Sequence, residues 1–338
     1  MGGLLRIHFT ERDLARVHIA DRPDPLWELV LAIQQLTEPR PCRHSGPVYR
    51  VWTRTARTVL HEQGLVPAAR LLGRIAPGAL YFPDFLTPAA AGRGLSEGLE
   101  AVRATPREQI SRQLRLTHQL RPLPSWAHSL ADADPARRTE LVELLRALHD
   151  AVIAPDWTGV DRLFELDRAR RARALCADGV DALLASLRPA LRWAPPVLSA
   201  PYPADKDLRL DGRGLRLVPS FFCWATPVTT ADPGLPPVVV YPVDHAPVLE
   251  HSARDTAEEA LAGLLGQTRA RVLGALTDGA TTGELAGRLG VSAASASTHV
   301  ATLRGARLAA STRAGAHVLH TLTPLGRALL EGAAPGTG

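Results

Sequence analysis

Five hydroxyl-bearing residues, Ser292, Ser295, Ser297, Thr298 and Thr302, crowd the stretch VSAASASTHVATLR (Val291–Arg304). The spacing is helical, with Val291, Ala296, Val300 and Leu303 on the inward side. The outward face therefore carries small polar groups where a solvated helix usually carries Glu and Lys. Serine and threonine are mediocre helix formers, so this choice needs a reason. A helix that lies in the DNA major groove, roughly 12 Å wide, needs short outward side chains. Their hydroxyls can meet phosphates and base edges, and threonine methyls can meet thymine methyls. Ser295, Ser297, Thr298, His299 and Thr302 are the expected base-edge contacts. Thr282 and Ser292 sit at helix N-termini, where backbone N–H groups suit phosphate. Arg304, Arg307, Arg313 and His317 are the expected backbone or minor-groove contacts.

No other constellation offers a reaction. His61 opens HEQGL, but position 65 is leucine and no second histidine follows to make a zincin site. There is no G-x-S-x-G, no Walker loop, and no G-x-G-x-x-G after a strand. Gly212–Gly214 (GRG) reads as a hairpin turn. The run RARRARAL from Arg168 reads as a solvated helical face whose charge could extend a DNA footprint. No catalytic residues are assigned, and the chain is not expected to be an enzyme. No cofactor is implied and a cofactor-binding set is unknown.

The elements that must hold the hydroxyl face follow from the same region. TTGELAGRLG reads as a short helix capped by Thr281 or Thr282, with Leu285, Ala286 and Leu289 inward and Gly290 stopping it. A short helix, a glycine turn and a second helix have helix-turn-helix spacing. RLAASTRAGAHVLHTLT then alternates on both sides of Ala314-Gly315, a two-stranded wing with a basic tip. Thr323 and Pro324 open a last helix by the cap-then-proline rule. The order is that of a winged helix-turn-helix over 256–331, with 332–338 a flexible tail.

Upstream, residues 1–250 read as a sensor or dimerisation domain, mainly helical with a small sheet near its end. LLRIHF suits a short strand, Thr10 caps a helix, and LRLDGRGLRLVPSFFCW reads as a β-hairpin about Asp211-Gly212. The fold class is thus mainly α with small β elements. The totals agree with a soluble, cytoplasmic protein. Hydrophobic residues make up 46% and charged ones 22%, with a net charge of +5. Lysine is almost absent, so single arginines carry little weight; the basic balance permits a nucleic-acid partner. Three widely separated cysteines, Cys42, Cys176 and Cys223, make no disulfide framework. No apolar run suits a signal peptide or membrane span.

Residues 264–330 resemble the arsenic-repressor-type (ArsR/SmtB) winged-helix regulators, through QTRARVLGAL, TTGELAGRLGVSAASASTHVATLRGARL and RAGAHVLHTLTPLGRALL. The whole chain is similar to actinobacterial members with a long N-terminal domain, through YFPDFLTP, GRGLRLVPSFFCW and VVVYP. The resemblance implies homodimers that bind two-fold operators in double-stranded DNA and regulate transcription, usually as repressors. The metal-sensing members carry paired cysteines in the helix matching ELAGRL, or His and Asp on the last helix. Neither set is present here, so no metal site is expected. The N-terminal domain, which holds all six tryptophans, is expected to bind a small apolar or amphipathic effector or to supply the dimer interface. The alternative is an enzyme or ligand-binding protein whose winged helix mediates protein–protein contact.

Overall fold

A strand as apolar as Val238–Pro242 (VVVYP) must be covered on both faces. The structure, a computed structural model that describes residues 2–37, 48–78, 81–120, 122–131, 134–246, 261–314 and 317–332, supplies that cover. The chain divides into two units, Met1–His245 and Ala246–Gly338. Among the described residues no helix is long and apolar enough to cross a membrane.

In the first unit, β1 (Gly3–His8), a one-turn helix α1 (Glu11–Leu14) and β2 (Val17–Ile19) precede the helices. These are α2 (Pro25–Thr37), α3 (Tyr49–Glu62), α4 (Val66–Ile75), α5 (Leu95–Ala104), α6 (Arg107–Leu120), α7 (Ser125–Ala131), α8 (Pro135–Val152) and α9 (Trp157–Ala185). Six strands follow: β3 (Arg192–Ala194), β4 (Val197–Tyr202), β5 (Lys206–Arg209), β6 (Leu215–Ser220), β7 (Val228–Thr229) and β8 (Val238–Pro242). They build two four-stranded sheets, ordered β3-β4-β1-β5 and β2-β6-β8-β7. Helices dominate, as the sequence suggests, but two sheets stand where one small sheet was expected.

The second sheet is a middle layer. Val218, Val238 and Val240 pack into the helical core with Leu26, Leu29, Leu72 and Leu145. Their strand neighbours Leu217, Val239 and Tyr241 point the other way, against Leu5, Ile7 and Leu198 of the first sheet and Leu183 and Leu184 of α9. The period-2 alternation of strands, with both faces apolar, explains the unbroken hydrophobic run. Beneath it, Arg171 and Asp167 form a buried ion pair at 2.7 Å, and Tyr241 donates to the same carboxylate at 2.5 Å. Arg171 of the expected solvated run is therefore an interior group.

The expected hairpin is a correction. The turn exists, with Asp211 at φ 52° and Gly212 at φ 81°. The strands it joins do not pair: β5 lies parallel to β1, and β6 lies between β2 and β8. The N-terminal segment intervenes. Thr10 caps α1 in a reciprocal box with Asp13. The other Asp13 oxygen accepts the Gly214 N–H at 2.9 Å. Gly214 has φ 76°, and a Cβ there would overlap the Arg16 carbonyl oxygen. Only glycine lets the turn close on residues 13–16.

In the second unit residues 261–265 are helical. Then come α10 (Gln267–Ala275), β9 (Ala280–Thr281), α11 (Thr282–Leu289), α12 (Ala293–Gly305), β10 (Ala309–Ala314), β11 (His317–Leu322) and α13 (Pro324–Gly332). The strands form a small sheet ordered β10-β11-β9. Its core is Val272, Leu273, Leu276, Leu285, Ala296, Val300, Leu303 and Leu308. Thr323 accepts the Gly326 N–H at 3.0 Å, and a Cβ on Gly326 would overlap the Leu308 carbonyl, so α13 seats directly on that backbone.

Two buried carboxyls in α2 and its entry make the first unit's stability pH-dependent. Glu28 accepts from Ser220 Oγ and the N–H groups of Phe221 and Phe222, each at 2.9 Å. Burial outweighs those bonds and pushes its carboxyl up to about 7; burial likewise raises Asp24 to about 6. A raised carboxyl means the folded chain keeps a proton that the unfolded chain releases. Stability is then full below the ordinary carboxylate range and is lost as pH rises through about 6 and then about 7. Urea titrations followed by tryptophan fluorescence, which reports only the first unit, should show these two groups lowering stability by about 4 kcal/mol from pH 5 to 8. Glu28→Gln should flatten that decline whatever its effect on absolute stability; an unchanged slope would assign the pH dependence to other groups.

Candidate nucleic-acid interface

The inward residues of α11 and α12 hold the two helices together. Leu285, Ala296, Val300 and Leu303 are buried, and Ala286, Leu289 and Val291 pack against them. Thr281, rather than Thr282, caps α11 in a reciprocal box with Glu284. Gly290, at φ 67°, ends that helix in the left-handed region, and Ser292 caps α12 by accepting the Ser295 N–H at 3.1 Å. Each is a local signal satisfied locally.

The outward face of α12 is low. Ser297, Thr298, Ala301 and Thr302 are exposed, while Ser295 and His299 are half-buried along its flank. Thr298 Oγ1 donates to the Ala294 carbonyl and Thr302 Oγ1 to the Thr298 carbonyl, both at 3.0 Å. Those protons are spent within the helix, so the two threonines present acceptor lone pairs and methyl groups outward. The Ser297 hydroxyl makes no hydrogen bond among the described residues and is exposed. Thirteen residues of α12 make a ridge about 20 Å long at 1.5 Å per residue.

Arg304 and Arg307 are exposed at the end of that ridge, and Arg313 is exposed on β10. His317 pairs with Ala314 across the ribbon; its side chain, like residues 315–316 at the tip, lies outside the described positions. Arg307 is unusual. It sits at φ 59° where α12 turns into β10. Its N–H donates to the Arg304 carbonyl at 2.9 Å and that of Leu308 to the Leu303 carbonyl at 2.9 Å. That is a Schellman ending, in which glycine normally fills the left-handed position. An arginine there is held against a backbone preference of about 1 kcal/mol.

Thr282 does not join the outward face. Its hydroxyl bonds His320 Nε2 at 2.9 Å, and His320 Nδ1 bonds Ser311 Oγ at 2.7 Å. The buried imidazole thus ties the first turn of α11 to both strands of the ribbon. Burial lowers its pKa, and the Arg304 charge lowers it further, so the neutral ring is favoured. Sequence reasoning missed His320. It falls in a strand alternation, and nothing in local spacing relates it to Thr282 and Ser311.

Residues 115–247 match the model of a family of unknown function (DUF5937). No curated protein and no solved structure matches the chain. The matched segment begins inside α6 and contains β3 to β8, but β1 and β2 lie outside it, although both sheets use them. It covers less than half the chain and is not by itself a closed sheet architecture.

The Arg307 geometry makes a stability test. Arg307→Gly should raise the stability of the second unit by about 1 kcal/mol. Amide hydrogen exchange of α12, in a unit without tryptophan or tyrosine, checks it. A loss of protection would mean that the arginine stem contributes more packing than its backbone costs.

Proposed function

We propose that this chain is a DNA-binding transcriptional regulator, with a winged helix-turn-helix in its second unit. One observation carries the reading. An exposed ridge of Ser297, Thr298, Ala301 and Thr302 on α12 is low enough for close backbone approach and ends in exposed Arg304 and Arg307, with Arg313 exposed on the ribbon. Under this reading α12 lies in the major groove with Thr298 and Thr302 at base edges, and the β10–β11 ribbon lies along the phosphates. Thr282 is then a structural residue through His320, and Ser292 offers its helix N-terminus to phosphate.

The resemblance to ArsR-type regulators extends the proposal to a homodimer acting on a two-fold operator, in the sense of a repressor. Leu264 and Leu325, 70% and 56% exposed in the second unit, are apolar side chains that a second subunit could cover.

The test is mobility shift on DNA upstream of the chain's own coding sequence. Binding should weaken steeply with salt, because phosphate contacts release counterions. Thr298→Ala should reduce discrimination between operator and random duplex by about 1 kcal/mol. Arg313→Ala should weaken both equally and lower the salt slope by about one. Flat salt dependence, or equal effects of both substitutions on both DNAs, would favour a winged domain that contacts protein instead.

A further inference from the structure

The pairing of β2 with β6 brings arginines from distant parts of the first unit into one cavity of about 780 Å³. Arg16, Arg22, Arg93, Arg213 and Arg216 line it against a single carboxylate, Asp21. An arginine-rich composition explains many arginines. It does not explain why residues 16–22, 93 and 213–216 converge.

Three of the five are committed to the fold. Arg213 donates to the carbonyls of Leu210, Pro233 and Arg209, at 2.9, 2.7 and 2.7 Å. Arg16 donates to the Gly212 carbonyl at 3.0 Å. Arg22 donates to the Arg93 carbonyl at 3.3 Å and lies 3.9 Å from Asp21. Arg93 and Arg216 make no ion pair or side-chain hydrogen bond among the described residues. Arg216 is half-buried, and its guanidinium occupies the space that a Cβ on Gly92 would fill. Asp24 lines the neighbouring cavity with Arg216 and interacts with its charge, but no carboxylate among the described residues forms an ion pair with this half-buried guanidinium, which leaves it poorly compensated among like charges. An anion would relieve it, and the planar donor fork suits phosphate oxygens in particular.

Arg216 also borders a second, inner cavity of about 340 Å³, which shares Ala89, Arg216 and Pro236 with the first. Trp27, Phe85, Val218 and Val238 make its walls largely apolar; Thr105 and Gln109 add neutral polar groups, and the carboxyls of Asp24 and Asp84 border it, which favours an uncharged occupant there. Both volumes fall within or near the range of small-molecule sites, roughly 300–1,000 Å³. We propose that these adjoining cavities bind a small phosphate-bearing molecule, its phosphate on Arg93 and Arg216 and its uncharged, largely apolar part in the inner cavity. This site lies wholly in the first unit and stands independently of the DNA-binding reading.

Isothermal titration of the full chain with phenyl phosphate, inorganic phosphate, pyrophosphate and phenol tests it. Phenyl phosphate should bind at least about tenfold more tightly than phenol or inorganic phosphate, since only it fills both cavities. Arg216→Gln and Arg93→Gln should each weaken it roughly tenfold, as expected for a lost charge-assisted bond. Arg288→Gln, exposed in the second unit, should leave it unchanged. Tryptophan fluorescence melts check that the first unit stays folded; Arg93 is exposed, so its variant serves if Arg216→Gln does not fold. Failure of every phosphate probe to bind would overturn the proposal. So would phenol binding as well as phenyl phosphate, indifference to both arginine substitutions, or displacement of phenyl phosphate by a random duplex, which would assign these arginines to nucleic acid.

Discussion

The first unit depends on strand pairing between its opening residues and strands some two hundred residues later. β1 is inserted between β4 and β5, with Leu5 opposite both Ala200 and Lys206, and β2 completes the edge of β6. The Asp13 carboxylate ties the connection between them to the Gly214 turn. Without β1 the first sheet has no centre, and the lower face of the middle sheet loses Leu5 and Ile7 as partners. Closing so long a loop costs entropy that grows only slowly with its length. The apolar burial on both sides of Val239 and Tyr241 offsets it. The same pairing creates the arginine-lined cavity, because it sets residues 16–22 beside 213–216.

Polar groups inside that unit are spent on architecture. Glu28 collects three donors at the end of β6, and Asp84 accepts the N–H groups of Ala231 and Asp232. Asp167 anchors Arg171 and Tyr241 between α9 and β8. Each carboxylate joins segments far apart in the chain, which fixes the order of layers more sharply than apolar packing alone. Arg93 and Arg216 stand out because, among the described residues, their side chains make no hydrogen bond or ion pair.

The second unit works at a smaller scale. Its core is a few aliphatic side chains, and its turns are closed by caps and glycines within a few residues of each other. The outward face of α12 is left without bulk, and the strained ending at Arg307 keeps a charged side chain where glycine would be easier. His320 joins α11 to the ribbon from inside, so one buried imidazole and two hydroxyls add to the β9–β11 pairing and the shared aliphatic core in holding the ribbon against the helices.

What the sequence by itself determined is local in range. The caps at Thr10, Ser292 and Thr323, a threonine cap at 281 or 282, the stop at Gly290, the inward faces of α11 and α12, and the exposed hydroxyls of α12 were legible because each depends on residues within one or two turns. The Asp211-Gly212 turn was legible too, but not its consequence, since whether two flanking strands pair is decided by competition with strands from elsewhere. Only the tertiary structure decided that β1 and β2 would win that competition and make two sheets. It alone brought five arginines around one cavity, turned Thr282 inward to His320 and buried Arg171. Those outcomes depend on which distant segments share an interior, and periodicity along one segment holds no record of its partner.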